Sequence, residues 1–190
     1  MYGGYREMNK KVYIFLADGF EDIEGLMVVD LLRRAKMDVQ TVSITDQREI
    51  TTSHGVTMLT DTVFGEVDFS DAELLVLPGG QPGTTHLKAF APLGELLVKT
   101  NEEGGRIAAI CAAPTVLSGL GLLKERKATS YPSCEPDMKV AEYLTDKVVV
   151  DGNITTSRGL GTAIDFALSL IGQLAGEEEA EKIAKGVVYQ

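Results

Sequence analysis

The sequence predicts an α/β fold, a doubly wound and mostly parallel sheet with helices on both faces. Three observations predict it. Residues 12–17, 39–45, 74–77 and 106–110 are short runs rich in β-branched or aliphatic side chains. Helical periodicity falls between and after them: over 22–35 the apolar residues stand at 23, 26, 27, 28, 31, 32 and 35, and 93–101 and 161–174 read likewise. Finally, Asp151-Gly152-Asn153 divides 147–150 from 154–157 as strand, tight turn, strand, because Asp-Gly and Gly-Asn supply the positive φ of hairpin turns.

In order along the chain, the strand at 12–17 ends in Asp18-Gly19-Phe20-Glu21, where Asp18 and Glu21 spell a capping box for the helix over 22–35. The strand at 39–45 follows. After Ser53-His54-Gly55, residues 56–60 alternate apolar and polar, as in an edge strand or small hairpin. Residues 74–77 run into Pro78-Gly79-Gly80-Gln81-Pro82-Gly83. The apolar run 106–110 ends at Cys111, and Ala112-Ala113-Pro114 opens a helix. Ala109 and Ala113 are small enough for a sharp corner, and Pro114 suits a first helical turn. The hairpin at 147–157 enters the last long helix through Arg158-Gly159-Leu160-Gly161. Residues 177–182 read as a solvated terminal helix whose first-turn acids complement the dipole.

A chain of 190 residues suits one domain, expected over 11–190 behind a flexible lead-in at 1–10. Its net charge of −10 argues against a nonspecific nucleic-acid surface, which needs a basic stripe to neutralise phosphates. The N-terminus lacks a signal-peptide core, and no apolar run approaches the roughly 18 residues of a membrane span. The only cysteines, Cys111 and Cys134, form neither a paired metal spacing nor a disulfide framework. The expectation is a cytoplasmic protein with no metal and no cofactor.

In a doubly wound sheet the functional crevice lies outside the carboxyl ends of the strands. Four loops should meet there, carrying Asp18 to Glu24, Pro78 to Gly83, Cys111 and Thr156 to Gly159. A helix N-terminus behind Cys111 offers free N–H groups and a positive dipole end, which favour a thiolate. Cys111 is equally spelled as a small hydrophobe ending a core strand. Glu24 lies one turn into its helix with Val28 and Leu31 on the same flank, so it should lose hydration, keep its proton and donate to sulfur. Gly79 and Gly80 let backbone approach a ligand, and the N–H groups of Gly80 and Ala112 are candidates to hold an oxyanion. Ser157 and Arg158 fit either an anion site or a structural ion pair. His54 and His86 read as surface residues, and Cys134 is a candidate resolving thiol for an oxidised Cys111.

Together, the segments 17–24 (ADGFEDIE), 76–80 (VLPGG), 108–114 (AAICAAP) and 156–162 (TSRGLGT) resemble the DJ-1/ThiJ/PfpI superfamily, on its DJ-1-like (ThiJ) branch. The resemblance runs from about residue 11 to 187. It implies a flavodoxin-like sandwich of the class I glutamine amidotransferase kind, commonly a homodimer. It also implies an oxidation-prone cysteine beside a protonated glutamate, roles that fall on Cys111 and Glu24. Family members are described as cofactor-independent glyoxalases acting on small carbonyls, as protein deglycases, as chaperones and as oxidative-stress proteins whose cysteine becomes a sulfinate. The family often carries a histidine near the cysteine, in the segment matching 128–132, where this chain has Tyr131. Peptidase and glutaminase chemistry through a Cys–His pair is therefore disfavoured. Proton transfers fall to Glu24, and Tyr131 stands as a pocket donor.

Overall fold

The computed structural model describes residues 11–190, so the lead-in expected at 1–10 lies outside the described residues. Seven strands form one sheet: β1 (Lys11–Leu16), β2 (Asp38–Ser43), β5 (Thr62–Val63), β6 (Ala72–Leu77), β7 (Arg106–Ile110), β10 (Val148–Asp151) and β11 (Ile154–Ser157). Their order is β10-β11-β7-β6-β1-β2-β5, and every pairing is parallel except the β10–β11 hairpin. Two small ribbons stand outside it, antiparallel β3 (Glu49–Thr51) with β4 (Thr57–Leu59), and β8 (Lys127–Ala128) with β9 (Glu142–Tyr143).

The helices divide between the two faces. α1 (Asp22–Arg34), α5 (Ala163–Ala175) and α6 (Glu177–Gly186) pack together on one side; α2 (Gly83–Ala89), α3 (Ala91–Glu102) and α4 (Pro114–Gly119) cover the other. The strand period makes two cores from one sheet. On β1, Val12, Ile14 and Leu16 join the α1–α5 core, whereas Tyr13 and Phe15 join the core beneath α3 and α4. All five are essentially without solvent contact, as expected of a central parallel strand covered twice.

The expected elements appear with ends shifted by a residue or two. The terminal helix runs on to Gly186, with Ala180 and Ile183 buried against the α1–α5 core, so it is a packed element and not merely a solvated tail. The capping box at Asp18 and Glu21 does not form. Asp18 instead accepts from the backbone N–H of Thr51 at 2.8 Å, while Glu21 itself caps α1 by accepting from the N–H of Glu24 at 2.8 Å. The chain turns one step later than its spelling suggests because Gly19 and Phe20 are pinned to the β3 segment, Gly19 N–H to Thr51 O and Ser53 N–H to Phe20 O.

β1 is the switch point of the sheet: β2 follows on one side of it and β6 on the other. The loops after β1 and β6 therefore open a crevice at the carboxyl edge. β7 ends beside that crevice, and β11, in register with β7 through Ser157 opposite Ile110, closes its far side.

Candidate functional site

Cys111 is the residue after β7, and its backbone is left-handed, with φ of 66°. An L-residue there costs about 1–2 kcal/mol, and the surroundings hold it in place. Cys111 N–H donates to Ser157 O at 3.0 Å, and Cys111 O accepts from Tyr131 N–H at 2.7 Å. The sharp bend leaves the side chain partly buried, packed at the margin of the α1–α5 core and close to Gly79 of the loop after β6.

Glu24 meets it from α1. The carboxyl is 1% exposed, accepts from Gly79 N–H at 3.0 Å, and shares a hydrogen bond with the Cys111 thiol. The N–H of Leu160 is directed at the same carboxyl group. Burial pushes the Glu24 carboxyl up to about 7; the Cys111 hydrogen bond works against that shift and the charge of Glu21 adds to it. Gly79 makes this approach feasible, since a Cβ there would stand 2.6 Å from both Cys111 Cβ and Glu24 Oε2. Gly80, at φ of 90°, turns the loop and lies against the backbone of Phe20 and Glu21.

The thiol behaves differently from the sequence expectation. Burial pushes the Cys111 thiol up, and the negative charge of Glu24 and the hydrogen bond to it push it further; the N–H groups of Ala112 and Gly80 pull the other way but do not prevail. A helix end alone suggested a thiolate, but the neighbouring acid and the dry surroundings outweigh it. The N–H groups of Ala112 and Gly80 are directed at the sulfur.

The remaining candidates divide. Tyr131 forms a wall of the site, its ring over Gly159, where a Cβ would lie 3.4 Å from Tyr131 Cδ2 and 3.8 Å from Glu24 Oε1. Ser157 is fully buried and its hydroxyl donates to Lys147 O at 2.6 Å, so it supports the site through its backbone carbonyl and does not face the pocket. Arg158 forms no ion pair among the described residues, and its guanidinium reaches Thr129 Oγ1 at 3.4 Å. Cys134 sits half-buried in a 3-10 turn over Pro132–Asp137, with its N–H on Tyr131 O at 2.9 Å. His86 is exposed, with Nδ1 2.9 Å from Asp18 O. His54 is exposed too, paired with Asp22. The Leu160 donor escaped the sequence reading; the glycines flanking it were visible, but nothing in the spelling aims a backbone N–H at Glu24.

Fold and site together define a flavodoxin-like α/β protein with a cysteine on a strained strand-to-helix elbow and a buried acid against it. The chain belongs to the DJ-1/PfpI family, whose model matches residues 10–173. Protein dj-1beta of Drosophila melanogaster is 40% identical over 183 residues, 95% of this chain and 98% of that protein. Its crystal structure superposes with a TM-score of 0.92 at 39% identity, covering 96% of this chain and 99% of the other. The structure of oxidized Toxoplasma gondii DJ-1 gives a TM-score of 0.91 at 35% identity, with 95% and 98% covered. A Caenorhabditis elegans relative named glutathione-independent glyoxalase DJR-1.2 is 32% identical over 169 residues, 87% of this chain and 88% of its own length.

Proposed function

We propose that this protein is a carbonyl-stress enzyme of the glyoxalase or deglycase type, with Cys111 as nucleophile and Glu24 as proton shuttle. The observation that carries the reading is the Glu24 carboxyl, buried against the thiol and pushed up to about 7, where a general base for neutral pH should lie. A thiol that resists ionisation needs such a base as it attacks. With methylglyoxal, the sulfur bonds to the aldehyde carbon as Glu24 takes the thiol proton, and the oxyanion meets the Gly80 and Ala112 N–H groups. The hydrogen on that carbon then passes to the adjacent carbonyl carbon, the oxyanion becomes the thioester carbonyl, and Glu24 returns its proton to the former ketone oxygen, giving a lactate thioester. Water then cleaves the S–C bond and frees the thiol. The sequence is redox-neutral overall, one carbon oxidised as its neighbour is reduced, so no cofactor is required. The C. elegans relative named as a glutathione-independent glyoxalase supports the same chemistry.

Methylglyoxal consumption by freshly reduced wild type, Cys111→Ser and Glu24→Gln tests this. Both variants should lose at least a hundredfold in kcat/KM, and the wild-type value should climb with pH to a plateau above about 7 as Glu24 becomes a base. Absence of wild-type turnover with Cys111 verified as reduced would refute the enzyme.

A second reading is a redox sensor, favoured by Tyr131 standing where the family often has histidine. Two equivalents of hydroperoxide would carry the Cys111 thiol to a sulfinate, releasing two molecules of water or alcohol, and protonated Glu24 would donate to a sulfinate oxygen. Intact mass after mild peroxide separates the outcomes: a gain of two oxygens marks the sulfinate, and a loss of two hydrogens marks a disulfide to Cys134. Among the described residues no helix is long and apolar enough to cross a membrane. A cytoplasmic location and a homodimer belong to the same proposal.

A further inference from the structure

The carboxyl ends of β1 and β2 carry a second opening, separate from the Cys111 site. Ala17 and Asp18 follow β1, Ile44 and Thr45 follow β2, and the end of α2 faces both pairs across a cavity of about 370 Å³. That volume is within the range of small-molecule sites, and β1 is the switch point beside which doubly wound sheets bind their ligands. Ile44 N–H donates to Leu16 O at 3.1 Å and holds the two strand ends together as a floor. His86, Ala89 and Phe90 stand three and four residues apart, so they share one helix face and form the opposing wall. The space exists because residues 17 and 89 are alanines.

Four of the lining residues, Ala17, Ile44, Ala89 and Phe90, are apolar. Thr45 is engaged in its own turn, where its hydroxyl donates to Gln47 O at 3.1 Å and accepts Gln47 N–H at 3.1 Å. Two acceptors remain. His86 Nδ1 lies 2.9 Å from Asp18 O, and a carbonyl only accepts, so Nδ1 carries the proton and Nε2 of the neutral ring presents a lone pair. Asp18 Oδ1 takes the Thr51 N–H at 2.8 Å, and Asp18 has no cationic partner among the described residues.

We propose that this cavity binds a small organic cation, an apolar ring or branched chain that carries an amidine or a primary ammonium group. The apolar body covers Ala17, Ile44 and Phe90, and the N–H donors meet His86 Nε2 and the Asp18 carboxylate. An anion of the same shape would bring a like charge to Asp18 and no donor, and a neutral alcohol would supply one donor for two acceptors. The net charge of −10 on the chain adds a general attraction for cations. In the strand order β7-β6-β1-β2 the cavity lies over β1 and β2, whereas Cys111 follows β7. The proposal therefore does not depend on the carbonyl chemistry.

The test is amide NMR of the full chain titrated with benzamidine, and in parallel with benzoate and benzyl alcohol, which share the ring but not the cationic head. Benzamidine should shift residues 17, 18, 44, 45 and 86–90 selectively and saturably, with affinity at least tenfold above that of either comparator. This comparison on the wild type needs no variant. Asp18→Asn should lower benzamidine affinity at least fivefold. Ala89→Phe, at an exposed helix position, should fill the cavity and abolish the local shifts. Shifts that are absent or spread over the chain, comparators that bind as tightly as benzamidine, or binding undiminished in either variant would overturn the proposal.

Discussion

Cys111 combines two costs in one residue, a left-handed backbone and a half-buried thiol held against an acid. The backbone cost separates from the chemistry in a pair of variants. Cys111→Gly should be more stable than Cys111→Ala by about 1 kcal/mol, read from urea midpoints, because only glycine takes φ of 66° without strain. Equal midpoints would mean that the elbow relaxes. Glu24 carries a linkage effect. Its carboxyl titrates near 7 in the folded chain, against about 4.3 for an exposed glutamate, so between those values the folded state binds more protons than the unfolded state. Stability contributed by this group is therefore lost as pH rises through that window, by up to about 4 kcal/mol. Glu24→Gln keeps the shape without the charge, so its stability relative to wild type should grow from pH 5 to pH 8 in denaturant titrations. At this scale the spelling was informative for Glu24, whose Val28 and Leu31 neighbours marked a core-facing flank. It misled for Cys111, because the acid that opposes ionisation is far away in sequence.

At the scale of elements, the β10–β11 hairpin owes its position to a polar clasp at the opposite edge of the sheet from the site. Arg126 donates to Asp151 O at 2.8 Å and to Asn153 Oδ1 at 2.7 Å, and Asn153 donates to Gly105 O at 2.7 Å and Asn101 Oδ1 at 3.2 Å. Asn153 thus joins the hairpin turn to the end of α3 and to Arg126. Asn153→Ala should cost about 2–3 kcal/mol by leaving several partly buried partners unpaired, measurable as a lowered thermal midpoint. Because β11 carries the carbonyl that anchors Cys111, faster amide exchange at Cys111 N–H is expected in the same variant. The strands and long helices were legible from their periodicity, and the Asp-Gly-Asn turn from its chemistry. The ribbon of β8 and β9, two residues each, was not, since so short a pair has no period to read.

The whole molecule leaves large apolar side chains in solvent at the start of α1 and on the β3–β4 hairpin: Ile23, Val56 and Leu59. The two elements are tied together where the Thr52 hydroxyl donates to Asp22, so these side chains form one surface. A second copy of the chain is expected to cover it. Light scattering should give twice the 20.4 kDa chain mass, and Leu59→Lys should shift the population toward the single chain. A single-chain mass at every concentration would count against the dimer.

Sequence by itself determined the sheet-and-helix alternation, the glycines after β6, the corner at Cys111 and the likeness to a family. All of these are set by local side-chain size, backbone freedom and hydrophobic period. Tertiary structure alone decided that burial and the Glu24 carboxyl hold the Cys111 thiol protonated, that Ser157 turns away, and that Glu21, Asp22 and His54 converge. Those outcomes depend on distances and desolvation between segments far apart in the chain, and no local pattern encodes them.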